Sequence, residues 1–193
     1  RELVVPAATV DALFADGSAA VAATDLAANE YVLLRDESGA KSALGKFDKT
    51  SQKVHAIKKL REGVWGIRPR NKEQHFALDL LLNDEVKLVT LVGKAGTSKN
   101  LLALAAGLQK VTEDQAYSKL LVSRPIFPLG RDIGFLPGDI EEKLNPWMQP
   151  IYDNLEFLLG LNRNDTRDGR SYAELMELGF VEIEPLTYIR GRS

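Results

Sequence analysis

Val86-Lys87-Leu88-Val89-Thr90-Leu91-Val92-Gly93-Lys94-Ala95-Gly96-Thr97-Ser98-Lys99-Asn100 runs directly into Leu101-Leu102-Ala103-Leu104-Ala105-Ala106-Gly107. The first seven residues are apolar except for Lys87 and Thr90, as suits a strand buried in a parallel sheet. The run from Leu101 to Leu108 is rich in strong helix formers. A glycine-rich turn with a lysine lies between them. This is the setting of the pattern G-x-x-x-x-G-K-[ST], in which backbone amides at a helix N-terminus cradle phosphates. In that pattern the lysine reaches the terminal phosphates and the hydroxyl binds Mg2+. The stretch predicts an α/β fold of the P-loop NTPase type, a parallel sheet with flanking helices, taking ATP and Mg2+.

Two positions depart from the pattern. Gly93 and Lys99 fit, but Ser98 stands where the second glycine belongs and Asn100 where the hydroxyl belongs. If the backbone at position 98 is left-handed, a serine there costs about 1 to 2 kcal/mol, and nucleotide binding weakens. The Asn100 amide offers Mg2+ a carbonyl oxygen at a different reach from a threonine hydroxyl, and Mg2+ demands near-octahedral geometry. Hydrolysis should therefore suffer more than binding. The candidate nucleotide-binding residues are Gly93, Lys94, Ala95, Gly96, Thr97, Ser98, Lys99 and Asn100, with Asn100 as the candidate metal ligand. The simpler alternative, a glycine turn that merely joins strand to helix, does not explain why both flanking elements suit the motif.

The chain has 193 residues, 45% of them hydrophobic, enough for one domain or one domain with a smaller appendage. It contains no apolar run of eighteen residues and nothing resembling a signal peptide, so it reads as soluble, cytoplasmic and without a membrane partner. With no cysteine, disulfides and cysteine-based metal sites are excluded, and His55 and His75 are too few and too far apart for a zinc site. A net charge of −2 gives no overall pull toward nucleic acid. Locally, Lys58, Lys59, Arg61, Arg68, Arg70 and Lys72 crowd together, as either a surface for phosphate or RNA or a solvated linker face.

Residues 1–62 read as a small β-containing module. Tyr31 to Arg35 predicts a strand, Asp36-Glu37-Ser38-Gly39 a turn, and Lys41 to Phe47 a return strand. Residues 63–193 read as the nucleotide-binding part. Phe76, Leu78, Leu81 and Leu82 give Asn71 to Asn83 helical spacing. After the loop helix, Lys119 to Ser123 predicts a strand, Ile126 to Gly138 a loop broken by proline and glycine, and Asp139 an N-cap for a helix from Ile140. Pro146 opens a further helix through Leu158, and Tyr172 to Leu178 and Phe180 to Ile183 follow as helix and strand.

Several other motifs occur in order with the loop: Val122-Ser123-Arg124-Pro125, Gly130-Arg131-Asp132-Ile133-Gly134-Phe135-Leu136-Pro137-Gly138, Lys143-Leu144-Asn145-Pro146-Trp147 and Tyr188-Ile189-Arg190-Gly191-Arg192-Ser193. With them, residues 64–193 resemble PhoH-like ATPases. The resemblance implies a P-loop core related to superfamily 1 helicases. Residues 1–63 resemble the connecting segment of members that carry a PIN-type ribonuclease domain and are associated with ATP-dependent RNA unwinding and cleavage. Asn71 and Gln74 resemble the helicase-type amides ahead of the loop, where the glutamine reads adenine. An ordinary exposed helix residue remains the alternative for Gln74. Arg124, Arg131, Arg190 and Arg192 are candidates for phosphate or RNA contact, or for holding their own loops. Assembly into a homo-oligomer is implied by the resemblance alone.

Hydrolysis also needs an apolar strand ending in Asp-Glu to hold Mg2+ and orient water. The resemblance puts that strand just beyond a segment like Tyr188 to Ser193. Leu80-Leu81-Leu82-Asn83-Asp84-Glu85 lies at a helix end ahead of the loop, and Val181-Glu182-Ile183-Glu184 alternates its acids on one face, so neither replaces it. Arg1 and Ser193 are read as cut ends. The expectation is an ATP-binding, RNA-directed ATPase, a hydrolase by resemblance, with impaired hydrolysis. A non-catalytic nucleotide- or RNA-binding module is the alternative, and the motifs after the loop disfavour a small-molecule kinase.

Overall fold

Along Tyr31–Asp36 (β3) and Ser42–Asp48 (β4) every second residue is buried: Val32, Leu34 and Asp36 on one, Ala43, Gly45 and Phe47 on the other. Period-two burial gives the antiparallel pair one core face and one outer face. The computed structural model describes residues 1–22, 25–125, 140–162 and 172–186. Glu2–Val5 (β1), Ser18–Ala20 (β2) and Lys53–Ala56 (β5) complete a five-stranded sheet in the order β1-β3-β4-β5-β2, with β1 parallel to β3 and the other neighbours antiparallel.

Helix Ala7–Asp16 (α1) lays Val10 and Leu13 on the core face with Val32, Leu34, Phe47 and Val54. Pro6 enters the helix from an extended backbone, and Gly17 at φ 72° ends it in the left-handed conformation that favours glycine. The helix passes so close to the sheet that Gly45 lies 3.5 Å from Leu13 when a Cβ is placed on it, and the same Cβ would sit 2.3 Å from Val54 Cγ1.

Helix Lys72–Leu81 (α2) begins at Asn71, whose Oδ1 accepts a hydrogen bond from Gln74 N at 2.8 Å. Phe76 stacks on Tyr31 with ring centroids 4.4 Å apart. The Tyr31 hydroxyl donates to Asp79 Oδ2 at 2.5 Å, and Lys46 Nζ lies 3.4 Å from the same oxygen. Burial first, then the bond to Asp79, raise the Tyr31 phenol above its ordinary range, so it stays protonated. Tyr31 and Lys46 are register partners on the outer face, so α1 and α2 cover opposite sides of the sheet.

The chain forms two compact units, Arg1–Arg61 with Arg70–Asp79, and Glu62–Pro69 with Leu80–Ser193. In the second, helix Lys99–Leu108 (α3) passes into one π-helical turn, Gln109–Glu113. Strand Leu120–Arg124 (β6) pairs in parallel with Val181–Pro185 (β7), with Leu120 opposite Val181 and Ser123 opposite Glu184. Helices Ile140–Asn162 (α4) and Tyr172–Glu177 (α5) lie between them in sequence. Gly107 lets β6 approach α3, because a Cβ there would meet Leu120 Cδ1 at 2.6 Å.

Two expectations are corrected. Val86 to Val92 belongs to neither sheet, with Leu88 82% and Val92 95% exposed. The parallel sheet is therefore seen as the β6–β7 pair and does not include the strand that leads into the loop. An apolar run reads as a strand from sequence, but it becomes one only when a neighbour supplies ladder donors and acceptors. Second, the two helices expected either side of Pro146 are one continuous helix, α4. Its Leu155 and Leu158 are fully buried, so the packed apolar stripe outweighs the local penalty of proline. The loop Ile126 to Gly138, the Asp139 cap and Arg131, Arg190 and Arg192 lie outside the described residues.

Candidate nucleotide site

The turn before α3 folds around its own lysine. Lys99 Nζ donates to the carbonyl oxygens of Gly93 at 2.9 Å and Lys94 at 2.8 Å and to Thr97 Oγ1 at 3.2 Å. Thr97 Oγ1 in turn donates to Lys94 O at 2.8 Å. Gly93, Lys94, Thr97 and Lys99 thus close one hydrogen-bonded ring, with Ala95 and Gly96 at its tip. Gly93 allows this closeness, since a Cβ there would sit 3.2 Å from Thr97 Oγ1 and 4.0 Å from Lys99 Nζ. Gly96 takes φ 78° without cost.

Ser98 is left-handed at φ 62° and ψ 21°, the conformation that a glycine fills in the common pattern. Its hydroxyl makes no capping bond to α3, and the first turn of α3 contains no acid. The leading amides of a helix have no intrahelical acceptor, and the macrodipole places about half a positive charge there. Lys94 is exposed beside this end, and neither it nor Lys99 pairs with a carboxylate among the described residues. Asn100, on the first turn, is exposed. An uncapped helix end with two lysines and no local acid is chemically suited to a phosphate group.

Two long-range contacts fix the far end of α3, and neither has a sequence signature. Lys110, on the π turn, is buried and bonds Asp84 Oδ2 at 2.7 Å, with Asp114 at 3.8 Å. The Lys110 bond, followed in smaller measure by the Tyr117 hydroxyl, holds the Asp84 carboxyl below its ordinary range. Trp65, 8% exposed and at φ 47°, donates its Nε1 to Thr112 Oγ1 at 2.9 Å. Gly63 and Gly66 give the turn around Trp65 its positive-φ positions.

Among the other expected site residues, Gln74 belongs to the first compact unit, and its Oε1 accepts from Arg70 N at 2.8 Å. Arg124 ends β6 and is exposed. The two acidic look-alikes have other work: Asp84 holds Lys110, and Glu182 pairs with Lys119 at 2.5 Å. Among the described residues, no three His, Cys, Asp or Glu cluster as a metal site. No helix among them is long and apolar enough to cross a membrane.

Residues 66–193 match the PhoH-like protein family. The chain belongs to that family. Its members are P-loop NTPases that generally bind nucleotide with Mg2+. Protein PhoH2 of Bacillus subtilis (strain 168) is 52% identical over 166 residues, which are 86% of this PhoH-like chain and 37% of that protein. Protein PhoH2 of Mycolicibacterium smegmatis is 42% identical over 194 residues, 100% of this chain and 42% of the relative. A PhoH-like protein of Bacillus subtilis is 38% identical over 106 residues, 55% of this chain and 30% of its own. The chain therefore spans about two fifths of the PhoH2 relatives it matches. No solved structure matches it.

Proposed function

We propose that this chain is the nucleotide-binding part of an RNA-directed PhoH-like ATPase, in the cytoplasm, whose own loop binds ATP but hydrolyses it poorly. One observation carries this reading: the uncapped N-terminus of α3, with Lys99 held inside the turn and no carboxylate beside it. Backbone amides and Lys99 would hold the phosphates, and the Asn100 carbonyl would offer Mg2+ one ligand. Bound Mg2+ would neutralise charge on the phosphate oxygens. Binding would trade the bonds of Lys99 to Lys94 O and Thr97 Oγ1 for bonds to phosphate oxygens, with the ammonium group already held at the turn when nucleotide arrives. Ser98 keeps the loop in its left-handed shape at a cost in strain, and Asn100 lacks the hydroxyl that seats Mg2+ in the common pattern.

The test is phosphate release from Mg-ATP by the natural sequence and by Ser98→Gly/Asn100→Thr, each with and without single-stranded RNA. The double variant is expected to release phosphate at least tenfold faster. Equal rates would remove the idea that these two positions limit hydrolysis. Asn100 also favours a second reading, a nucleotide-binding module without turnover, and ATP binding with no phosphate release in either variant would select it.

A further inference from the structure

From Lys49 to Arg61 the chain carries five cations, Lys49, Lys53, Lys58, Lys59 and Arg61, and not one carboxylate. Elsewhere in this unit lysines are neutralised: Lys41 pairs with Asp11 at 2.7 Å and Lys46 with Asp79. All five cations are exposed, and none pairs with a carboxylate among the described residues. The acid just before them, Asp48, is engaged by the β4–β5 turn itself, accepting from the amides of Thr50 and Ser51, each at 3.0 Å.

The strap that follows β5 is fixed in place. Ile57 N continues the ladder to Leu44 O, and His75 Nε2 bonds Lys58 O at 2.9 Å. On the other side Lys59 Nζ stands 5.9 Å over the ring of Phe14, which is 59% exposed on α1. A pinned row of unpaired cations beside an exposed aromatic ring matches the chemistry of single-strand recognition, in which cations follow the phosphates and a ring stacks on a base. An anionic membrane would instead favour an apolar rim, whereas the neighbouring turn is Thr50, Ser51 and Gln52.

We propose that the strap at residues 57–61, with Phe14 and the hairpin lysines Lys49 and Lys53, is a binding surface for single-stranded nucleic acid. It rests on the RNA-directed part of the function proposed above, and it places the RNA on the first compact unit. Lys58, Lys59 and Arg61 neutralise phosphates, Lys49 and Lys53 extend the track, and Phe14 stacks a base.

The experiment is fluorescence anisotropy of the full chain with a labelled twenty-nucleotide single-stranded RNA from 50 to 300 mM salt, beside ATP binding on the same samples. Lys58→Ala/Lys59→Ala/Arg61→Ala is expected to weaken RNA binding at least tenfold at 100 mM salt. It should also flatten the plot of log affinity against log salt by about two, roughly 0.7 for each phosphate that the variant no longer neutralises. Phe14→Ala is expected to weaken binding about tenfold with the slope unchanged, the mark of a missing stacking partner. Both should keep ATP affinity and thermal midpoint, because these side chains are exposed. RNA binding by all variants within twofold of the natural chain would overturn the surface and leave the RNA-directed reading standing. No RNA binding by the natural chain would overturn both. Strap-dependent binding to phosphatidylserine vesicles without RNA binding would assign the surface to membrane and overturn the proposal.

Discussion

Ser98 shows how one side chain can mark a function and weaken it. Its φ of 62° is what the turn requires to bring Lys99 back under Gly93 and Lys94, and a residue with a Cβ pays for that conformation. Ser98→Gly is expected to raise unfolding free energy by about 1 kcal/mol in urea titration, from relief of strain offset in part by a freer unfolded chain. A decrease would mean that the serine side chain stabilises the turn. Asp48 gives a second residue-level expectation. The Ser51 side chain first, then the amides of Thr50 and Ser51, lower its pKa to about 2. A carboxyl depressed in the folded state contributes stability above its unfolded pKa of about 4, and loses it as pH falls through the folded value. Unfolding stability should thus drop between about pH 4 and pH 2, and Asp48→Asn should make that drop shallower. Parallel pH profiles of the two proteins would refute the assignment.

At the scale of elements, packing decides where sequence periodicity is ambiguous. The hairpin β3–β4 is legible in sequence because the turn residues Asp36-Glu37-Ser38-Gly39 stand between two strand-forming runs, although Leu33 and Leu44 on the outer face blur the alternation of Val32, Leu34, Ala43 and Phe47. Strands β1, β2 and β5 are short, at 4, 3 and 4 residues, too few for a period to stand out, and the alanines of α1 hide its apolar stripe. The loop and α3 are legible because a local motif specifies both. The anchors of α3 are not, because Trp65 and Thr112 lie 47 residues apart and Lys110 and Asp84 lie 26 apart. Gly45 is equally silent in sequence, yet α1 and β5 close on it from two sides. Gly45→Ala should lower stability by about 1 to 3 kcal/mol, as overpacking of a tight core does. Denaturant unfolding measures this, and an unchanged midpoint would show that Val54 moves aside freely.

At the scale of the whole molecule, two compact units divide the work proposed here. The first is a sheet between two helices, and it carries the unpaired cations of the strap. The second carries the phosphate turn, α3 and the parallel pair β6–β7. The apolar run from Val86 to Val92, with Leu88 and Val92 exposed, pairs with no strand among the described residues, a state that favours association through strand edges. Family membership was legible because several motifs stand in order along the chain, whereas the course of that run depends on a neighbouring strand and so is not written in its own residues. What joins these levels is the claim that the turn from Gly93 to Lys99 binds the phosphates of a nucleotide. Calorimetric titration of ATP into the natural chain and into Lys99→Ala tests it most directly. Saturable one-to-one binding, weakened at least tenfold in the variant while its thermal midpoint holds, is the predicted result; equal binding by the two proteins, or none by the natural chain, would contradict it.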